Sequence, residues 1–226
     1  MLRIFRRSLF IQTEATPNKD SLKFIPTGKT VLGPGAGTLE FLSFSDAQRS
    51  PLAQALFKIE GVESVMYGPE WISISKQQDS QWQLMKPDIF AKIMDFYSAD
   101  DTAELFPEST GETEAPDTKI LPTDSETVAM IKELIETRIR PTIQEDGGDL
   151  EYCGLTPEGV VQVKLKGACR TCDSSVVTLK NGIENMLMHY IPEITGVEQI
   201  ESEAELAGNE AFLKFEEKLK SLKNQS

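Results

Sequence analysis

The sequence contains few of the residues and patterns that catalytic and membrane-spanning proteins need. It has one histidine and three cysteines in 226 residues, and no Gly-x-Ser-x-Gly segment, so hydrolase chemistry based on a Ser–His pair has no support. No 18-residue window is apolar and uncharged, which excludes a bilayer-spanning helix. Three thiols cannot all pair, and the N-terminus has no secretory apolar region. The sequence therefore argues against a disulfide scaffold.

Basic residues are also scarce. The chain has 23 Lys and Arg against 36 Asp and Glu, a net charge of −13. Such a charge repels phosphate backbones, and no basic stripe follows the first ten residues, so we expect no nucleic-acid partner. A hydrophobic content of 39% is sufficient for a buried core.

Charge and composition divide the chain into two predicted domains, at 9–98 and 124–201. Between them, residues 99–127 carry one Lys and nine acidic residues. The stretch is too polar to offset its own ordering entropy, so residues 99–123 are predicted to form an acidic flexible linker. The predicted fold class is α+β, with two small α+β domains.

Both ends of the chain have a distinct composition. Residues 1–8 contain Arg3, Arg6 and Arg7 without an acid, and we interpret them as a short mitochondrial targeting segment. An ordinary basic terminus leading into a strand explains the same residues. Residues 202–226 form a tail in which Phe212, Phe215 and Leu219 recur at helical spacing, so a terminal helix is predicted.

The first domain is predicted to contain a mostly antiparallel sheet and two helices, without Cys or His. Ser50 followed by Pro51 is a typical helix start. The predicted strands are Ser8–Thr13, Ser21–Ile25, Val62–Tyr67 and Trp71–Lys76, and the helices begin at Pro51 and span Pro87–Tyr97.

The second domain is predicted to have the order α-β-β-α-β. Its first helix repeats Val128, Ile131, Ile135 and Ile139 at helical spacing after a capping box at Thr123 and Glu126, and Pro141 bends or ends it. The following elements are a hairpin of Asp149–Leu155 and a strand around Val161–Leu165, a helix at Asp173–Ile191 with Val176, Leu179, Ile183, Leu187 and Tyr190 on one face, and a strand at Thr195–Glu201.

The chemistry of the chain centres on Cys169 and Cys172, which lie where a predicted strand ends and a helix begins. The amide groups and positive dipole of a helix N-terminus favour thiolate over thiol, as do the cations Lys166 and Arg170. Two thiolates at this spacing hold adjacent positions on one metal ion or ligate neighbouring irons of a cluster.

The number of ligands indicates a dimer. A closed zinc site or an iron–sulfur cluster takes about four protein ligands, and this chain offers two well-placed sulfurs. Two chains related by a two-fold axis would supply four thiolates. Cys153 is interpreted as a packing residue of the first hairpin strand, because unligated Cys behaves as a small hydrophobe. The lone His189 is expected at the surface, near a helix C-terminus.

Two other functions use the same sulfurs. A thioredoxin-like dithiol oxidoreductase also has a strand, a CxxC motif and a helix in this order, but it expects a preceding βαβ unit. A structural zinc ion bridging two chains needs the same four thiolates.

Two groups of residues resemble a known family. The segment Ile139–Asp149, the loop Gly167–Ser175 and the segment Thr178–Leu187 strongly resemble the NifU-like C-terminal domain of Nfu-type iron–sulfur cluster scaffold proteins. Shorter matches are similar to the family's N-terminal domain: Phe10–Thr13, Thr16–Asn18, Ser21–Phe24, Ser50–Ala53, Ile59–Val62 and Lys86–Ile89.

The resemblance implies a non-enzymatic scaffold in the mitochondrial matrix that binds a [4Fe-4S] cluster, with [2Fe-2S] as the alternative, between two chains. It implies that Cys169 and Cys172 are the cluster and metal ligands, with no catalytic residue. It also implies upstream cluster donors, and recipient apoproteins such as lipoyl synthase, aconitase-type and respiratory enzymes. The chain departs from the family pattern at Asp173, where Pro usually follows the second Cys, and a negative charge there could weaken cluster binding.

Overall fold

The computed structural model describes residues 9–33, 36–99, 115–170 and 173–200, with the side chains of 99 and 173–178 left out. Several predictions made from the sequence therefore lie outside the described residues. They are the targeting segment, most of the acidic linker, Cys172 and the terminal helix.

The amino-terminal domain contains an antiparallel sheet of five strands, β1 Ile11–Ala15, β2 Ser21–Pro26, β3 Leu39–Phe41, β4 Val62–Tyr67 and β5 Ile72–Lys76. Their order in the sheet is β1-β2-β5-β4-β3. The register pairs Phe24 with Ile72 and Val65 with Ile74, so apolar side chains of neighbouring strands share a buried face. The edge strand β3 has only three residues, too few for the sequence pattern to reveal it.

Two helices, α1 Pro51–Phe57 and α2 Trp82–Ala99, accompany this sheet. The hydroxyl of Ser50 accepts a hydrogen bond from the amide of Ala53 at 3.2 Å, which confirms the predicted helix start. The start predicted for α2 was wrong, because the helix begins five residues earlier and Pro87 lies inside it. Proline lacks the N–H that would reach the carbonyl of Gln83, and Gln83 is exposed, where water can satisfy that carbonyl.

The carboxy-terminal domain has the predicted α-β-β-α-β order. Its first helical segment consists of α3 Glu126–Leu134, a π-helical turn at Ile135–Ile139 and α4 Arg140–Glu145. The predicted capping box was wrong, since Ser125 is the N-cap and its hydroxyl accepts from the amide of Val128 at 3.2 Å. The helix does not end at Pro141. The wide turn before it accommodates a residue that lacks an N–H, and the chain remains helical to Glu145.

A three-stranded sheet follows, with β6 Gly148–Leu155 and β7 Val160–Gly167 antiparallel and β8 Gly196–Gln199 parallel to β7. Helix α5 Asp173–Tyr190 connects β7 to β8. Its residues Ile183 and Leu187 are buried as predicted, but Tyr190 is 50% exposed and lies against the guanidinium of Arg138. No helix in the described ranges is both long and apolar enough to cross a bilayer.

Candidate functional site

Cys169 lies in the turn after β7, four residues before α5 begins, as its place in the sequence predicts. The turn is closed by hydrogen bonds from the amide of Arg170 to the carbonyl of Gly167, at 3.1 Å, and from the amide of Ala168 to the carbonyl of Gly147, at 3.3 Å. The side chain of Cys169 is only 6% exposed and packs with the core of its domain. Its predicted partner ligand, Cys172, is beyond the described residues.

Two glycines are needed for the close packing around Cys169. A β-carbon on Gly148 would lie 2.4 Å from the sulfur of Cys169 and 2.8 Å from the carbonyl oxygen of Lys166. Gly167 has a φ of +63°, in the left-handed region that favours glycine. The strands β6 and β7 meet here, with Gly148 paired to Gly167. The sulfur is thus held against bare backbone.

The two cations that lie near the thiols in the sequence, Lys166 and Arg170, both have carboxylate partners. The ammonium of Lys166 lies 2.6 Å from the carboxylate of Glu151, in a half-exposed pair. The guanidinium of Arg170 pairs with Glu40 of the amino-terminal domain. The electrostatic support expected from these two cations is therefore shared with Glu151 and Glu40.

A cavity of about 530 Å³ leads to Cys169. Its walls are mostly apolar, and Asp146 and Asn18 are among its few polar residues. Burial, with a smaller contribution from the charge of Glu145, raises the pKa of Asp146, and Lys23 acts in the opposite direction. Two lining residues, Pro17 and Asn18, come from the amino-terminal domain, and the others are Ile139, Thr142, Ile143, Asp146, Ala168, Cys169, Leu179, Gly182, Ile183 and Met186.

A buried charge network supports the start of β6, next to Gly148. Arg140 is 5% exposed and its guanidinium donates to Asp149 at 3.0 Å, to Asp117 at 2.8 Å and to Glu136 at 2.9 Å. Burial raises the pKa of Asp149, and the positive charge of Arg140 offsets part of this rise. Burial alone would lower the pKa of Arg140, but the charges of Asp149 and Asp117 outweigh it, so that this pKa is raised.

Arg140 and Asp149 belong to the segment that resembles the family, but no role for either residue was predicted from the sequence. Asp117, within the predicted linker, also accepts a hydrogen bond from the amide of Tyr152 at 2.8 Å. The end of that predicted segment therefore packs on the carboxy-terminal domain. The sequence did contain a signal for this pair: a basic residue, Arg140, lies at the predicted end of a helix, and an acidic residue, Asp149, lies at the predicted start of the next strand.

Cys153 does not pack in the core, so that interpretation was wrong. It is exposed, at an irregularity of the β6–β7 register between Tyr152 and Gly154. A bulge of this kind turns a side chain away from the position that alternation assigns. Desolvation and the charge of Glu151 raise the pKa of its thiol. His189 is exposed near the end of α5, as expected.

Within the described residues, no three His, Cys, Asp or Glu side chains are close enough to hold a metal ion. Cys153 lies in β6 and Cys169 in the turn after β7, and of the two only Cys169 lines the cavity.

Two family models match the chain. A model described as "Scaffold protein Nfu/NifU N terminal" matches residues 11–100, and one described as "NifU-like domain" matches residues 131–198. The second match includes Cys169 and the whole of β6, β7 and α5.

Relatives with high identity carry names of the same kind. The chain is 51% identical over 220 residues to "NFU1 iron-sulfur cluster scaffold homolog, mitochondrial" of Drosophila yakuba, covering 97% of this chain and 75% of that one. It is 53% identical over 195 residues to "NifU-like protein 5, mitochondrial" of Arabidopsis thaliana, covering 86% and 69%. A solution NMR structure of a NifU-like protein from Saccharomyces cerevisiae is 27% identical with a TM-score of 0.41, over 46% of this chain and 89% of that one.

Proposed function

The chain belongs to the Nfu/NifU family of scaffold proteins, and from this premise we propose that it is a mitochondrial iron–sulfur cluster scaffold that delivers its cluster to recipient apoproteins. The cluster is cargo and leaves with the recipient. The observation that carries the proposal is the placement of Cys169. Its sulfur lies in the turn between β7 and α5, within a domain that matches the NifU-like model.

The proposed ligands are Cys169 and Cys172, one pair from each of two chains. Two thiolates complete half of the coordination that an iron–sulfur cluster takes from protein, so the cluster is shared across a dimer of carboxy-terminal domains. The proposed cargo is a [4Fe-4S] cluster. A cluster held by only two ligands per chain is released when the two domains separate, which suits delivery in the mitochondrial matrix.

We propose no enzymatic activity. In a thioredoxin-like oxidoreductase a βαβ unit precedes the CxxC motif. In this chain the segment before Cys169 is the antiparallel hairpin β6–β7, in a sheet of order β6-β7-β8. This difference in topology favours a binding role over dithiol redox turnover.

Anaerobic reconstitution with iron and sulfide tests the proposal. We expect a brown protein that is dimeric by light scattering, with four irons and four sulfides per dimer. Mössbauer spectra distinguish a [4Fe-4S] from a [2Fe-2S] cluster. Cys169→Ser and Cys172→Ser should each abolish the colour and the dimer, and the matched control Cys153→Ser should change neither, because Cys153 is exposed at a bulge away from the cavity.

The alternatives give other results. A colourless protein that binds stoichiometric zinc through the same sulfurs would indicate a zinc-bridged dimer and contradict the scaffold function. Disulfide-reductase turnover by a monomer would indicate an oxidoreductase and contradict the scaffold function. A cluster that survives the loss of either Cys169 or Cys172 would contradict the proposed ligands.

A further inference from the structure

The amino-terminal domain contacts the turn that carries Cys169. Asn18 is 3% exposed, and its side-chain amide donates a hydrogen bond to the carbonyl of Ala168 at 3.1 Å. Ala168 directly precedes Cys169. Asn18 also orders its own turn, because its side-chain oxygen accepts from the amide of Asp20 at 3.0 Å. A residue 150 positions away in the sequence thus holds the backbone beside the thiol.

Glu40 holds the same turn from both sides of Cys169. Its carboxylate accepts from the amide of Gly167 at 2.8 Å and pairs with the guanidinium of Arg170. The side chains of Arg170 and Glu40 are only 13% and 11% exposed. Charge-assisted hydrogen bonds of this kind are stronger than neutral ones. Gly167, Ala168 and Arg170 are therefore all bound by the amino-terminal domain.

The two domains also meet closely at two glycines. A β-carbon on Gly167 would lie 2.3 Å from the sulfur of Met66 in β4. A β-carbon on Gly147 would lie 3.1 Å from a methyl of Thr16 and 3.2 Å from the hydroxyl of Ser73. Backbone of one domain thus lies directly against side chains of the other.

The contact between the two domains is largely polar. Besides the contacts of Asn18 and Glu40, the ammonium of Lys23 donates to the carbonyl of Glu145 at 3.1 Å, and Thr38 donates to Asp149. The hydroxyl of Ser73 is buried there without a hydrogen-bond partner, the single such side-chain atom found in the described ranges. Opening would hydrate it. Polar contacts between domains of one chain are typical of transient interfaces.

The amino-terminal domain also borders the cavity that Cys169 lines. The thiol is 6% exposed, and Pro17 and Asn18 form one wall of the cavity that leads to it. We propose that the amino-terminal domain reversibly covers the turn at residues 167–170. In the docked state it shields Cys169 and prevents the turns of two chains from facing each other. In the undocked state it permits cluster binding. This inference rests on the proposed function, since a shared cluster requires two such turns to meet.

The test measures access to one thiol in the full chain without a cluster. In a Cys153→Ser, Cys172→Ser background, Cys169 is the one remaining thiol, and its alkylation by iodoacetamide is followed as a function of pH. The plateau rate, reached when the thiol is fully ionised, no longer depends on the thiolate fraction; it reports access, with a weaker dependence on the nucleophilicity of the thiolate. The midpoint reports the thiol pKa, which a change of nearby charge also moves. Loss of a nearby negative charge lowers the thiol pKa and with it the nucleophilicity of the thiolate, so a raised plateau in such a variant reports opening.

Two variants weaken the contact at different points. Glu40→Gln removes the charge that pairs with Arg170, and Asn18→Asp keeps the acceptor for Asp20 while removing the donor to Ala168. The control is Glu63→Gln, the same substitution at an exposed position of β4. We expect each variant to raise the plateau rate about tenfold, and the control to leave it unchanged. Fluorescence of Trp71 and Trp82 verifies that the amino-terminal domain remains folded.

A plateau rate equal to that of the parent in both variants would refute the proposal that the amino-terminal domain covers Cys169. Cluster loading is measured separately in chains that keep all three cysteines. Faster loading of Glu40→Gln than of Glu63→Gln, together with a raised plateau, supports the cover as a control of cluster binding. If the variants raise the plateau rate but neither they nor the parent chain bind a cluster, the covering contact is supported and the proposed function is refuted.

Discussion

Replacing Gly148 by Ala tests the packing that positions Cys169. The new methyl group would lie 2.4 Å from the sulfur of Cys169, about 1 Å closer than the 3.4 Å at which ordinary contact begins. The sulfur can rotate away, but the carbonyl of Lys166, at 2.8 Å, belongs to the backbone of the β6–β7 ladder and can move only if the ladder shifts. The backbone of Gly148 itself has no positive φ. The predicted effect is therefore steric.

Overpacking of this kind costs about 1–3 kcal/mol in the free energy of unfolding. With a urea dependence of about 2 kcal/mol per molar, a loss of 2 kcal/mol lowers the unfolding midpoint by about 1 M. Both tryptophans, Trp71 and Trp82, lie in the amino-terminal domain, so their fluorescence reports that domain and far-UV circular dichroism reports both. We expect the shift mainly in the dichroism, accompanied by reduced cluster loading because the sulfur is displaced.

Gly182→Ala is the matched control. Gly182 is an exposed position inside α5, and nothing lies within 4 Å of the place that its β-carbon would take. Alanine is favoured over glycine in a helix by about 1 kcal/mol, so this variant should be more stable than the parent. If Gly148→Ala unfolds at the same urea concentration as the parent and loads cluster equally well, the close contact between β6 and Cys169 is refuted.

Three further predictions concern charged and thiol groups. Arg140→Met should lower the free energy of unfolding by about 3–5 kcal/mol, measured by urea titration, because it leaves the buried carboxylate of Asp149 without its cation; an unchanged midpoint would contradict the network. In a chain lacking the other two cysteines, the alkylation midpoint of Cys153 should lie above that of a free cysteine peptide measured in parallel, because desolvation and the charge of Glu151 raise the pKa of its thiol; a midpoint at or below that of the peptide would contradict this. The pKa of Asp124 is lowered by the amide of Leu121 and by Lys132, so its contribution to stability is present above pH 3.8 and is lost as the pH falls through the lower folded value. Asp124→Asn should therefore flatten the acid limb of a plot of unfolding free energy against pH, and an equally steep limb would refute the assignment.

Local sequence patterns predicted most of the elements around the site. The alternation of Val161, Val163 and Leu165 with polar residues matches the buried positions of β7, and the start of α5 at Asp173 matches its predicted boundary. These features depend on neighbours within one strand or one helical turn, so the sequence contains the information directly. The resemblance to the Nfu family is confirmed by the family models and relatives.

The errors occur where a tertiary contact outweighs the local signal. Trp82 packs near Phe24 and donates a hydrogen bond to the carbonyl of Lys19 at 3.1 Å, and α2 accordingly begins there and not at Pro87. Cys153 follows the strand pattern in sequence, but a bulge in the pairing with β7 leaves it exposed. A helix start or a bulge that depends on a distant segment leaves no periodic trace in its own residues.

By itself the sequence determined the α+β class, the family, and the position of Cys169 between a strand and a helix, because each follows from residue order and short-range spacing. Only the tertiary structure decided what surrounds that thiol. The contacts of Asn18 with Ala168 and of Glu40 with Arg170 join residues 150 and 130 positions apart, and the packing of two domains, not any spacing along the chain, brings them together.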